Sequence, residues 1–220
     1  MPIVDVSPEV SICCQEFGDP KDPPVLLVMG FGAQMLAWHE DFCRALADRG
    51  RHVIRYDNRD CGLSTTFDDF PVDMGEFIAA VSAGDIPTAL AMVPYRLLDM
   101  AGDGLGLLTA LGIERAHVVG ASMGGMIAQT MAISSPERVR TLTSMMSSTG
   151  ESQYGRPSPE AQAVLFTPKP AAATDMSRRR RRSWCGPHGD TVTPRCCESW
   201  PPPAMTAPTT PPGPDGTWVR

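Results

Sequence analysis

Residues 116–127 read AHVVGASMGGMI. A β-branched run enters a turn of small residues, one serine stands at its apex, and a helix-forming stretch leaves. Within it GASMG, residues 120–124, fits the pattern G-x-S-x-G. That pattern has mechanical meaning between a strand and a helix, where a sharp turn lifts the serine hydroxyl above the end of a sheet. The flanking sequence supplies this context, which makes Ser122 a candidate nucleophile. Gly120 and Gly124 are the elbow glycines, with Gly125 behind them, and they let the backbone turn without side-chain clashes. The next N–H, from Met123, sits at the helix N-terminus and is a candidate oxyanion donor. The plainer alternative is a glycine-rich strand-to-helix turn carrying a solvated serine, and only context separates the two.

Outward from this stretch, VLLVM (25–29), HVIRY (52–56) and HVVG (117–120) read as strands buried on both faces of a parallel sheet. Helical patterns fall between them: MLAWHEDFCRALADRG (35–50), which ends on a glycine stop, and YRLLDMAGDGLGLLTALGI (95–113). RVRTLTSMMSS (138–148) is expected as a fourth core strand after a helix starting near Met123, and SICCQEF (11–17) as part of an antiparallel edge hairpin. Alternating strands and helices predict an α/β protein with a doubly wound, mostly parallel sheet. The less regular stretch 65–94 is a candidate small lid over the carboxyl ends of the strands.

Two loops follow predicted strands. MGFG (29–32) offers a second oxyanion donor, the N–H of Phe31; DNRDCGLS (57–64) carries Asp57 and Arg59, candidates for tying the loops together beneath the site. Taken singly, a glycine pair is common in turns and each charged residue reads equally well as part of a surface turn.

Together these segments strongly resemble the α/β-hydrolase family. MGFG stands where the family usually has a His-Gly loop, DNRDCGLS resembles its D-x-R-G-x-G-x-S loop, and VVGASMGGMIAQ resembles its nucleophile elbow. Met29 replaces the usual histidine and Asp60 a usual glycine. Within the family, PPVLLVMGFGAQMLAW, VIRYDNRDCGLST and the run from Tyr95 to Gln129 look like carboxylesterases of the actinobacterial lipase G type and aclacinomycin methylesterases. The resemblance covers about residues 10 to 170. It implies a serine hydrolase that needs no cofactor and no metal and acts on small-molecule carboxylic esters. It also implies a triad in the chain order serine, acid, histidine.

The histidine is hard to find. Of four, His39 lies in a helical pattern, His52 and His117 begin strands at the end of the sheet opposite the site, and His188 follows a polyarginine run without a strand before it. Asp175, Asp190 and Asp215 share the defect of His188, because positioning a base within hydrogen-bond reach needs a rigid scaffold.

Composition changes near residue 170. From Met176 to Arg220 the chain holds nine prolines and seven arginines, and its only aliphatic residues larger than alanine, methionine aside, are Val192 and Val219. Such a segment buries too little to repay the entropy of folding. The expected organisation is a partial hydrolase domain over 1–170, its sheet truncated after the strand that follows the nucleophile helix, and a disordered tail over 171–220. A frameshift between about Ala171 and Gly186 accounts for the tail: MTAPTTPPG (205–213) can be encoded by DNA whose neighbouring frame reads DRAYYPAG, which looks like the family's lid region.

Seven cysteines without a CxxC pair support neither a disulfide framework nor a zinc ribbon and point to a reducing compartment. With no basic n-region at the start and no long apolar run, the expectation is a cytoplasmic protein without stable membrane insertion. A net charge of −6 speaks against a general nucleic-acid binder. The run Arg178–Arg182 is the local exception, and it keeps a basic-tailed binding protein as one rival. A noncatalytic hydrolase-like binding protein is another. Oligomeric state is left open.

Overall fold

The structure, a computed structural model, describes residues 1–151 and 158–161. The expectations for residues 171–220, including the disordered tail, lie outside the described residues. In chain order the elements are β1 (Ile3–Asp5), β2 (Ser11–Phe17), β3 (Pro24–Val28), α1 (Glu40–Ala47), β4 (His52–Tyr56), α2 (Met74–Ala83), α3 (Ile86–Ala91), α4 (Leu97–Ala110), β5 (Ala116–Ala121), α5 (Met123–Ser134) and β6 (Val139–Met145). Short 3-10 turns cover Met35–Ala37 and Pro136–Arg138.

The strands form one sheet in the order β1-β2-β4-β3-β5-β6. β1 and β2 pair antiparallel at one side, and β2 also joins β4 antiparallel. β4, β3, β5 and β6 run parallel. The expected doubly wound, mostly parallel sheet is what the chain adopts.

Alternation along each strand builds two cores. Leu26 and Val28 of β3, Ile54 and Tyr56 of β4 and Val118 of β5 face one side, where they pack with Met100 and Leu107 of α4 and Ile127 and Met131 of α5. Val25, Leu27 and Val53 face the other side, with Trp38 and Cys43. A strand in the middle of such a sheet is apolar at every position, which is why the run at residues 25–29 reads as continuous. The buried Arg55 is the exception: it donates to the carbonyl of Trp38 and to Gln15 Oε1, and its guanidinium lies 5.1 Å from the centre of the Phe17 ring.

Three expectations need correction. The pattern at 35–50 is not one helix: a 3-10 turn precedes α1, and His39 stands at the N-cap, its Nδ1 accepting from the Asp41 N–H at 3.4 Å. Its imidazole takes the place of an intrahelical acceptor. The stretch 65–94 is more regular than expected, because Asp73 and Asp85 cap α2 and α3, and Gly84 closes α2 with φ 73°. β6 is a strand but not a core strand: only Val139 is buried and Arg140–Ser144 are exposed. Among the described residues it is the sheet's edge, with β5 on one side, so pairing does not bring burial with it.

Candidate active site

Strand β5 ends at Ala121 and α5 begins at Met123, leaving Ser122 alone between them with φ 55° and ψ −125°. A non-glycine residue in this region stores about 1–3 kcal/mol of strain and persists only where its surroundings hold it. Here they do. The Ser122 N–H donates to Met145 O at 2.9 Å, at the end of β6, and its carbonyl accepts from the Gly125 N–H at 2.8 Å. The two elbow glycines are required by close approach: a Cβ on Gly120 would lie 2.1 Å from Gly124 O, and one on Gly124 would lie 2.2 Å from Val28 O. Ser122 itself is exposed.

The loop after β3 comes against this turn. A Cβ on Gly30 would stand 3.4 Å from Ser122 Oγ. Among the described residues neither the Phe31 N–H nor the Met123 N–H has an acceptor, and Met123, as the first residue of α5, has none within its helix. The Phe31 side chain is 85% exposed.

Asp57 and Arg59 both tie elements together. Asp57 is buried, and its carboxylate accepts from the Met35 N–H at 2.7 Å and the Leu63 N–H at 3.3 Å, joining the loops after β3 and β4. The carbonyl of the same residue accepts from Ser64 Oγ at 2.6 Å. Arg59 reaches across to α4 and binds Asp103 through two bonds of 2.7 Å, with both side chains buried. Burial opposes the charge on Arg59, but the Asp103 carboxylate outweighs it and holds the guanidinium above its usual range. Burial likewise pushes the Asp103 carboxyl up, against the pull of Arg59. The bidentate geometry is that of an ionised pair.

Asn58 and Asp103 were missed in the sequence, and Asp60 was noted there only as standing in place of a usual glycine. Asn58 Nδ2 donates to Met29 O at 2.8 Å and so holds the loop that carries Phe31. Asp103 is an acid on an otherwise apolar face of α4, a signal that was available in MAGDGLG. Asp60 adopts φ 61°, a conformation aspartate tolerates, and its carboxylate accepts from the Phe67 N–H at 2.7 Å and from Tyr95 Oη at 2.5 Å. Burial, then the bond to Asp60, raises the Tyr95 phenol above its ordinary range.

Above the carboxyl ends of β3 and β4 lies a pocket of about 600 Å³. The described residues that line it include the aromatic Phe31, Phe67, Phe70, Phe77 and Tyr95, the aliphatic Val72, Met74 and Val93, and the acidic Asp60 and Asp68. Ser122 is not part of the lining; Phe31, next to Gly30, connects the two.

The described histidines do not meet Ser122. His39 caps α1; His52 Nε2 lies 2.7 Å from Glu16 Oε2, and His117 Nδ1 lies 2.8 Å from Thr141 Oγ1, both near the amino ends of their strands. His188, Asp175, Asp190 and Asp215 lie outside the described residues. Among the described residues no group of three or more histidines, cysteines or acids could hold a metal ion, and no helix is long and apolar enough to cross a membrane.

Comparison with known proteins agrees with this architecture. Rhodomycin D methylesterase DauP from Streptomyces sp. (strain C5) is 36% identical over 138 residues, 63% of this chain and 39% of that protein. Rhodomycin D methylesterase DnrP from Streptomyces peucetius is 35% identical over 138 residues, with the same coverage of 63% and 39%. The chain thus spans about two-fifths of the length of these curated relatives. The structure of 2-hydroxy-6-oxo-6-phenylhexa-2,4-dienoate hydrolase from Rhodococcus sp. strain RHA1 superposes with a TM-score of 0.56 at 24% identity, covering 82% of this chain and 55% of that one, a likeness of fold. The family model for the alpha/beta hydrolase fold matches residues 23–194, past the composition break near residue 170. A mostly parallel sheet with a strained serine between β5 and α5, matched by a family model over most of its length, belongs to the alpha/beta hydrolase fold family.

Proposed function

We propose that the chain is the nucleophile-bearing part of a serine esterase that cleaves small-molecule carboxylic esters without a cofactor. The observation that carries this reading is the conformation of Ser122, φ 55° and ψ −125° at a strand-to-helix turn. Ser122 Oγ attacks the acyl carbon, the N–H groups of Phe31 and Met123 receive the developing oxyanion, and the alcohol leaves before water hydrolyses the acyl-enzyme. Gly120 and Gly124 permit the turn, and Asp57 and Arg59 hold the loops that carry the donors. The two methylesterases among the relatives support carboxylic esters as the substrate class. Residues 65–94 act as the lid. The free, buried thiols of Cys13, Cys14 and Cys43 favour work in the cytoplasm.

Attack requires a base to take the hydroxyl proton. None of His39, His52 and His117 is bonded to Ser122, and this favours a second reading in which the 220-residue chain binds an ester without turning it over. Loss of one triad member costs about 10⁴-fold in turnover. We expect the 220-residue chain to show no hydrolysis of 4-nitrophenyl acetate that depends on Ser122, and a chain read in the neighbouring frame after about residue 175 to gain it. Activity of the 220-residue chain that Ser122→Ala abolishes would refute the impairment. A repaired chain that folds, hydrolyses nothing and leaves Ser122 unlabelled by a fluorophosphonate would refute the esterase.

A further inference from the structure

The α2–α3 hairpin turns apolar side chains outward. Glu76 and Ser82 are the polar side chains of α2, and Thr88 is that of α3. Helices apolar on nearly every side are ordinarily buried. Here each buries a single residue, Ala80 in α2 and Ala89 in α3, and among the described elements the two pack chiefly on each other. Met74, Ile78 and Val81 fall on the same side of α2, at i, i+4 and i+7, and Ile86 and Leu90 on the same side of α3. These five side chains are between 38% and 58% exposed. Ile78, Val81, Ile86 and Leu90 do not line the pocket, so a ligand held there would leave them uncovered. Apolar side chains gathered on a surface mark a place where another molecule docks.

The same stretch is acidic. From Asp68 to Asp85 the chain carries Asp68, Asp69, Asp73, Glu76 and Asp85 and no lysine, arginine or histidine. Asp73 accepts from the N–H groups of Gly75 and Glu76, and Asp85 from the hydroxyl and the N–H of Thr88. Such bonds favour the charged form, and those from Thr88 hold the Asp85 carboxyl below its ordinary range. The charge decides between occupants. A second copy of the chain would bring its own five carboxylates to the same place, and an anionic lipid surface would be repelled. A helix with leucine-like residues on one face and lysine or arginine on the other matches both the apolar surface and its charge.

We propose that the α2–α3 hairpin is a docking surface for a basic amphipathic helix of a partner protein, whose apolar face covers Ile78 and Val81 and whose cations face the carboxylates of residues 68–85. Docking requires no reaction at Ser122 and stands apart from the esterase reading.

The test titrates the full 220-residue chain into fluorescein-labelled model peptides and follows their anisotropy. One peptide places leucine at i, i+3, i+4 and i+7 and lysine elsewhere; a second has the same composition with that spacing scrambled; a third replaces every lysine by glutamate. The first is expected to bind about tenfold more tightly than either of the others, and added salt to weaken it. Ile78→Gln and Val81→Gln, both at exposed positions, should each weaken it several-fold, and Asp69→Asn combined with Glu76→Gln should flatten its salt dependence. Ile133→Gln, on α5 and 82% exposed, should leave the affinity in place. Binding that survives both Ile78→Gln and Val81→Gln is plain charge attraction and overturns the proposal, as does equal binding of the three peptides or binding of none. Self-association of the free chain that Ile78→Gln abolishes would seat a second copy on the hairpin and overturn it too. So would binding to phosphatidylcholine vesicles in place of the peptide, which would seat a lipid surface there.

Discussion

Gly30 and Ser122 stand so close that a Cβ on Gly30 would lie 3.0 Å from the Cβ of Ser122 and also 3.0 Å from Ala121 O. The loop after β3 is therefore packed onto the strained turn, and Asn58 holds its other side through Met29 O. Replacing Gly30 by alanine forces one of the two to retreat. We expect Gly30→Ala to lower stability by about 1–3 kcal/mol in urea unfolding, the range for overpacking. A variant as stable as the parent would show that the loop is free to move away.

Arg59 and Asp103 form a buried ion pair between the loop after β4 and α4. Removing one member leaves the other charged and buried, which costs about 3–5 kcal/mol. Arg59→Met and Asp103→Leu should each lose that much, whereas the double variant should recover most of it. Additive losses in the double variant would mean that the pair is not coupled.

Asp60 combines φ 61° with two accepted hydrogen bonds. Asp60→Gly and Asp60→Ala both lose the bonds, but alanine also meets the left-handed backbone penalty of roughly 1 kcal/mol. The glycine variant should therefore melt above the alanine variant. The reverse order would place the loop in another conformation.

Burial, with Asp57 and Cys14 as the next contributors, pushes the Cys13 thiol up to about 12, and burial followed by Glu16 pushes Cys14 up to about 11. Raised values mean less thiolate at any pH below them, and thiolate is the reacting form. At pH 8, iodoacetamide should modify Cys13 and Cys14 only after denaturation, because both are buried in the folded chain. Peptide mass mapping reads the order; early modification of Cys13 would contradict its burial.

Much of the architecture was legible because it is written in short-range pattern. HVIRY at 52–56 and SICCQEF at 11–17 coincide with β4 and β2, since alternation and turn residues act over a few neighbours. The serine turn was legible for the same reason: its glycines and its strand-to-helix setting are local. α2 and α3 were less so, although the caps Asp73, Gly84 and Asp85 stood in the sequence, because their helices lack a clear apolar stripe.

By itself, then, the sequence determined the alternation of strands and helices, the two loops after β3 and β4, and the turn at Ser122. The tertiary structure alone decided that Arg59 meets Asp103, that Tyr95 meets Asp60, that His39 caps a helix, and that β6 is an exposed edge. The reason is physical: backbone conformation and periodicity answer to neighbours along the chain, whereas an ion pair across 44 positions, or the burial of a strand, depends on which elements the fold sets beside it.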